Sequence, residues 1–454
     1  MKRRKFGILK IGALLLVGFV VAVVGVITFW RLSLNSQNKA RLKAIAARGE
    51  PVDTVALNQS YLHVPDSENA AVVWLDAASE MTPEAAHYKT WSKFKLPARG
   101  ASATEEMMAF AQGIVTSNAD ALATCRQAAV LSRTRYPIDL TPGMNTLLPH
   151  LSRLRRLGGL LQAETLVAVE HHDSGRAVDA IATALGLGRS LSLEPLMVSQ
   201  NTSHGLDTVA FRSLEYVLNR VRLTDLQLTG LIGAFARGED TNSLYRSLLG
   251  ERATFVTAGR DPQGTISGWA SAPPPSPYQQ ALVDSVWAII GWTGFFERDF
   301  AFGVDALTTN IALAKLPDPD RFAARTNWTP VETRAREGYY PLSSILLPSV
   351  PRAIERDTED RARARVAQTA LAIERYRLAH GDELPENLTA LVPRFLPSVP
   401  IDPFDGQSMR YQRKQSGYVV YSIGMDAKDN GGKERPAKPK TTDEWDVTFI
   451  VDRQ

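Results

Sequence analysis

Residues Ile11 to Trp30 form an apolar run that only Thr28 interrupts. No other feature constrains the fold of this chain as much. A helix rises 1.5 Å per residue, so about twenty such residues cross a hydrocarbon core of ~30 Å. Lys2, Arg3, Arg4, Lys5 and Lys10 precede the run, which places the N-terminus in the cytoplasm. Trp30 and Arg31 suit the far interface. A cleaved signal peptide is the alternative, but the run is long for one and no A-x-A site follows it. The reading is an uncleaved anchor, residues 1–32, crossing a bacterial inner membrane once through residues 11–30. The bulk of the chain then lies in the periplasm.

The remaining length, within a chain of 454 residues, suggests two or three domains. Hydrophobic residues at 44% and charged residues at 22% suit a globular chain rather than a disordered one. The formal net charge is only +4. Much of that excess sits in the N-terminal tip, so composition argues against nucleic acid as a partner. Cys125 is the single cysteine, which excludes an internal disulfide and a cysteine metal cluster. It reads as a buried thiol.

Gln37 to Arg48 reads as a helical stalk, stopped by Gly49-Glu50-Pro51. Asp66 or Ser67 offers an N-cap for a helix over Val72 to Ala78. His63 reads as a solvated residue beside a turn. Leu147, Leu151, Leu154, Leu161, Thr165 and Ala168 recur at helical spacing, with Arg153, Arg155 and Arg156 off the stripe and facing water. A second helix carries Ala177, Ile181, Leu185 and Gly188 on one face, and the two read as a helical hairpin. No clean 34-residue period appears. Further helices follow over Asp207 to Val221, Asp225 to Ala236 and Ser243 to Thr257. Arg260 to Pro277 reads as a loop and Leu316 to Pro351 as irregular. Val286 to Phe296 is the second most apolar segment, and it is too short to span a bilayer. It is expected to be a buried core helix rather than one resting on the membrane surface.

Arg352 to His380 is the last long helix. Ile354, Ala362, Val366, Ala370, Ile373 and Tyr376 form its apolar stripe. Acidic residues at 355, 357, 359 and 360 precede Arg361, Arg363 and Arg365, which predicts i, i+4 ion pairs. Gly381 ends it. Met409 to Lys414 and Tyr418 to Ile423 read as a hairpin. Trp445, Val447, Phe449 and Val451 alternate with Asp446, Thr448, Ile450 and Asp452, the pattern of a half-buried third strand. The expected fold is mainly α with a C-terminal α+β domain: a transmembrane helix, a helical-hairpin array over residues 33–351, and a long helix on a three-stranded antiparallel sheet over residues 352–454. The last unit is expected to fold alone.

Three C-terminal motifs resemble a known family. Leu378-Ala-His-Gly-Asp-Glu-Leu-Pro385 follows a helix. Asp402-Pro-Phe-Asp-Gly406 comes next, then Tyr421-Ser-Ile-Gly-Met-Asp426 before Gly431-Gly432. This order resembles the soluble domain of the type II secretion major pseudopilin and its type IV pilin relatives. The N-terminus departs from that family: Gly7 is followed by Ile8, and Gly12 stands where prepilins carry Glu. The long helical middle region also has no counterpart. The resemblance implies calcium in the loop that starts at Asp426, with Asp443 and Asp446 as further ligands. Calcium takes six to eight oxygens, which such a loop could supply. Lys433, Arg435, Lys438 and Lys440 in the same loop oppose a cation, so weak or absent binding is expected.

No phosphate-binding Gly-rich loop, G-x-S-x-G elbow or H-E-x-x-H helix occurs. His171 and His172 are adjacent and point about 100° apart on a helix, so they do not chelate together. Catalytic and cofactor residues are therefore not assigned. The leading reading is a membrane-anchored interaction or scaffold protein, partnered by other envelope or secretion proteins of a type II secretion or pilus-like system. The rivals are an envelope hydrolase with a site in the helical region, and a structural module that borrowed a pilin-like fold. A pocket joining His171 or His172 to a carboxylate and a nucleophile would favour the hydrolase.

Overall fold

The computed structural model describes residues 2–92, 94–240, 242–269, 276–327, 329–347, 350–436, 438–440 and 443–453. It is mainly helical, with one small antiparallel sheet and one N-terminal apolar helix long enough to cross a membrane. That helix, α1 (Lys2–Ala47), has no break between the span and the expected stalk. Its two halves differ in environment. Leu14, Phe19, Val26 and Phe29 are all exposed, whereas Leu34, Asn38 and Ile45 are buried against the body. A side chain that is apolar and uncovered on every face has lipid as its favourable solvent.

Four short helices and two longer ones follow: α2 (Thr54–Ser60), α3 (Ala70–Glu80), α4 (Tyr88–Ser92), α5 (Glu105–Ser117) and α6 (Ala119–Ala129), then α7 (Pro149–Glu170). The cap of α3 is Asn69, whose Oδ1 accepts from Ala71 N at 3.1 Å, while Asp66 to Glu68 form a 3-10 turn instead. Pro at the first helical position starts α7, so Leu147 lies outside the helix and is exposed. Three helices then pack against α7 or one another: α8 (Ser174–Arg189), α9 (Met197–Leu218) and α10 (Asp225–Gly238). Gly158 of α7 permits a close approach to α9. A Cβ there would sit 2.5 Å from Leu206 Cδ2, so a larger residue would force that leucine side chain to move. Cys125 is buried in this core, and burial, with Glu164 nearby, pushes its thiol up to about 12. It remains a protonated, inert packing group.

The next helices are α11 (Ser243–Ala258), α12 (Pro262–Trp269), α13 (Pro277–Trp292) and α14 (Phe295–Leu313) with three shorter ones, α15 (Asp320–Ala323), α16 (Thr329–Glu337) and α17 (Pro341–Leu346), and a second core forms mainly between α11, α14 and α17. Ile45 of α1 joins Phe255, Phe300, Val304 and Ile311 there. Three sequence expectations change here. The loop expected from Arg260 contains α12, while Pro273 to Pro275 fall outside the described residues, and the stretch from Leu316 holds short helices. The expected core segment from Val286 is not buried: Val286 is 54% exposed and Ile289 66%. Hydrophobicity alone does not separate a core helix from a surface one, because the covering partner is a tertiary fact.

Helix α18 (Val350–Ala379) connects the two halves. One side packs on α9 and α10, the other on the sheet. The strands β1 (Arg410–Arg413), β2 (Gly417–Ser422) and β3 (Val447–Asp452) lie in the order β1-β2-β3, antiparallel, with Tyr418 opposite Val451 and Val420 opposite Phe449. Tyr418 donates to Ala370 O at 3.2 Å and Glu374 Oε1 at 3.0 Å, which locks strand to helix. Every residue of β2 is buried, because both faces of the central strand are covered. The largest hydrophobic core runs without interruption from Trp74 through Leu214 and Ala370 to Phe449.

Edge strand β3 would normally expose unpaired N–H and C=O groups. Helix α9 covers them with side chains. Glu215 Oε1 accepts from Ile450 N at 2.9 Å, Asn219 Nδ2 donates to Ile450 O at 2.8 Å, and Asn219 Oδ1 accepts from Asp452 N at 2.8 Å. Phe211 meets Phe449 edge-on at 5.3 Å across the same seam. The C-terminal sheet is thus hydrogen-bonded into the helical region as well as packed on it.

Candidate functional site

The acidic loop between β2 and β3 is the place the sequence singles out. Its carboxylates are spent on the chain itself. Asp446 Oδ2 accepts from Gly432 N at 2.7 Å and Lys433 N at 3.2 Å, and its Oδ1 from Asn430 N at 3.2 Å. Burial pushes the Asp446 carboxyl upward despite these donors. Asp426 accepts from Lys428 N at 3.1 Å and Asn430 Nδ2 at 2.9 Å, and Asp443 from Lys440 N at 2.8 Å. A calcium site needs those oxygens turned to one centre, whereas here they face N–H groups. Among the described residues no group of three or more His, Cys, Asp or Glu is placed to hold a metal ion. These aspartates staple the loop through its own backbone. Millimolar calcium is expected to leave the melting temperature unchanged. A rise of several degrees that Asp426→Ala abolishes, measured against chelator, would assign the loop to a cation.

A cleft of about 500 Å³ opens at the seam between the helical region and the sheet. Its walls come from the extended segment at 94–99, from α7 and α9, and from Glu434 in the β2–β3 loop. The segment at 94–99 is held by Arg220, which donates to Ala98 O at 3.2 Å and Ala101 O at 2.6 Å and lies 3.8 Å over the Tyr216 ring. Arg99 bridges two carboxylates, with Nη2 3.3 Å from Glu215 Oε1 and 2.8 Å from Glu434 Oε1. Burial pushes the Glu215 carboxyl upward, while Ile450 N and Arg99 oppose that shift. Arg212, crowded by protein and by the cations of Arg363 and Arg435, is lowered from its ordinary value. An arginine nonetheless keeps its charge at any physiological pH.

The lining carries four cations, Lys95, Arg99, Arg212 and Arg220, against two carboxylates, Glu215 and Glu434. Its described members include no Ser, Thr, Cys or His. Such a lining suits recognition of an acidic segment by charge and hydrogen bonding. Sequence reasoning missed this cleft because its cations come from positions as distant as Arg99 and Arg220. Only the docking of 94–99 on α9 brings them together.

Two further polar clusters lie between the helices, the first fully buried and the second half-buried. His150 Nε2 is 2.7 Å from Glu194 Oε1, and Ser199 Oγ donates to Glu194 Oε2. The three residue types match a hydrolase triad, but the carboxylate stands between Ser and His, so the imidazole does not receive the serine proton. All three are sealed from solvent, and Tyr136 stacks on His150 at 4.5 Å. This cluster is structural. His171 and His172, in contrast, are exposed at the end of α7 and do not line the large cleft.

The second cluster pairs Asp207 of α9 with Asp360 of α18 in a narrow crevice beside His204 and Arg189. Burial pushes both carboxyls up. Asp360 adds to the rise of Asp207, and Arg189 and Arg363 oppose it. A carboxyl raised in the folded state binds more protons folded than unfolded, so stability falls as pH rises through the folded value. Asp207→Asn removes that cost. It is expected to stabilise by about 0.5–2 kcal/mol at pH 8 and by much less at pH 5. Parallel thermal denaturation at the two pH values checks this, and an equal effect at both would refute the assigned direction.

No protein-family model, curated protein or solved structure matches this chain. Its function rests on its own geometry.

Proposed function

We propose that this chain is a membrane-anchored interaction protein of the bacterial envelope. In this reading α1 crosses the inner membrane with its N-terminus in the cytoplasm, and the body stands in the periplasm. The C-terminal unit is a pseudopilin-like frame joined to a helical-hairpin array, and the partners are envelope proteins of a type II secretion or pilus-like system. The cleft at the seam carries the reading. Its cations outnumber its carboxylates, and it is walled by both halves of the body. An acidic extended segment of a partner fits such a wall, because like-charged competitors are rejected and opposite charge steers approach. Fold likeness does not transfer function, so the cleft and not the resemblance is the warrant.

A photo-reactive residue placed at Lys95 in the full-length membrane protein tests this in the native host. Discrete adducts with envelope proteins are expected, and Arg212→Glu is expected to reduce them by about tenfold or more, since an opposed charge costs at least 1.4 kcal/mol there. Adducts that are absent, or indifferent to Arg212→Glu, would remove the cleft as the docking site.

A further inference from the structure

Helix α13 carries an apolar stripe that no described residue covers. At about 100° per residue, Leu282, Val286 and Ile289 fall within one narrow arc, with Val283 on its flank. They are 51%, 54%, 66% and 40% exposed. The polar residues Gln280 and Asp284 are exposed too, and among the described residues of the helix only Trp287, Ile290 and Gly291 are half-buried. Asp284 Oδ1 accepts from Gln280 at 2.8 Å and from Gln263 of α12 at 3.3 Å. Trp287 turns to Phe296, with ring centroids 5.6 Å apart. A helix on a water-facing surface turns such a stripe toward a core. Contiguous exposed apolar surface of this kind marks an interaction site.

The position of α13 identifies what covers it. After Trp292 the chain turns at Gly294, whose φ is +81°, and the turn lies on α1: a Cβ at Gly294 would sit 3.3 Å from Trp30 Cδ1 and 3.4 Å from Leu34 Cδ1. Only glycine combines that dihedral with that approach at little cost. Trp30 closes the apolar run, so it marks the level of the bilayer surface. Just beyond it, Arg31 Nε meets Glu297 Oε1 at 2.7 Å, Asn38 donates to Glu297 O at 2.9 Å, and Arg41 grips Asp305 with two contacts of 2.9 Å. These tie α14 to the lower part of α1 and hold the C-terminal end of α13 at the level of Trp30. The stripe of α13 and the uncovered surface of α1 are therefore neighbours.

We infer that α13 lies in the membrane interface, with its Leu282, Val286 and Ile289 stripe in the acyl-chain boundary of the bilayer that α1 crosses. This rests on α1 being a membrane span. Interfacial helices bind through buried apolar area and, where they carry Lys and Arg, through anionic headgroups. Helix α13 carries neither residue. The cations beside it are already engaged, Arg31 by Glu297 and Arg298 by Gly338 O at 2.7 Å. Attachment is thus apolar and indifferent to lipid charge. Its consequence is a second membrane contact, which fixes the tilt of the body and the height of the seam cleft.

The full chain in phosphatidylcholine vesicles, with and without anionic lipid, provides the test. In a Cys125→Ala background, Val20→Cys, Ile289→Cys and Asp284→Cys each receive a polarity-sensitive fluorophore, quenched by lipids spin-labelled near or far from the headgroup. The label at Val20 is expected to be quenched best by the deep probe, and that at Ile289 by the shallow one. Quenching at Ile289 should exceed that at Asp284 by about threefold or more, with or without anionic lipid and at high salt. Equal quenching at Ile289 and Asp284 beside a well-quenched Val20 would overturn the inference and leave the span intact. An unquenched Val20 would remove the span, and the inference with it. A blue shift at Ile289 that grows with protein density but shows no lipid quenching would assign the stripe to a second copy. Quenching at Ile289 that requires anionic lipid would refute the apolar mechanism.

Discussion

Arg361→Ala is expected to destabilise the protein by about 3–5 kcal/mol, a large fraction of the stability of an ordinary domain. The Arg361 side chain is only 3% exposed, and it lies 2.7 Å from Asp357 Oδ2 and 3.1 Å from Asp318 Oδ1. Burial alone would lower its affinity for a proton, but Asp357 and Asp318 reverse that and raise it. Asp357 is equally buried and is shared with Arg321 at 3.2 Å and with the Ser243 hydroxyl at 3.2 Å. The cluster therefore joins α18 to α11 and α15. Removing this guanidinium takes one cation from both carboxylates, leaving Asp357 to Arg321 and Asp318 to Arg365 at 3.4 Å. The cost is that of the orphaned charge and not the net worth of the pair. Chemical denaturation in mild detergent measures it. Arg361→Met combined with Asp357→Leu should cost less than the sum of the two single changes, because each single change breaks the same Asp357–Arg361 contact. A loss below about 1 kcal/mol for Arg361→Ala would mean that water reaches the cluster.

The second large effect concerns residues Arg352 to Gln454 expressed alone. A helix and three strands with an apolar stripe suggest an autonomous unit, and a cooperative transition would follow. The tertiary structure leads to the opposite expectation: a broad, non-cooperative melt. Val366, Ala370, Tyr418 and Phe449 share one core with residues of α7, α9 and α10. Severing the chain at 352 exposes the face of α18 that packs on α9 and α10, and it strips Glu215 and Asn219 from the edge of β3. A small fragment with an uncovered face and an open edge lacks the buried area for independent stability. Adding the helical region back as a separate chain should restore some order only if the seam forms in trans. A sharp transition for the fragment alone would refute this account and show that the seam is a docking contact between finished domains.

The local chemistry of the chain was readable in one dimension. The apolar run at Ile11 to Trp30, the two hairpin helices, the i, i+4 pairs Asp357–Arg361 and Glu359–Arg363, and the alternation through Phe449 and Val451 each depend on neighbours a few residues away. Periodicity reports such neighbours directly. The i, i+4 pairs were legible as pairs, but their burial was not, because it depends on Asp318 and Arg321 arriving from another element. The aspartates of the β2–β3 loop were equally visible. What they bind was not, since backbone N–H groups compete for a carboxylate and carry no letter in the sequence.

Tertiary structure decided three things. It placed Arg99, Arg212 and Arg220 around one cleft, although the residues come from separate segments. It gave the edge of β3 to Glu215 and Asn219, joining the sheet to the core of the helical region. It turned the stripe of Val286 and Ile289 outward beside Trp30, where the sequence alone had favoured the interior. The physical reason is common to all three. Hydrophobicity and charge are properties of a residue, but burial, pairing and access are properties of what packs against it.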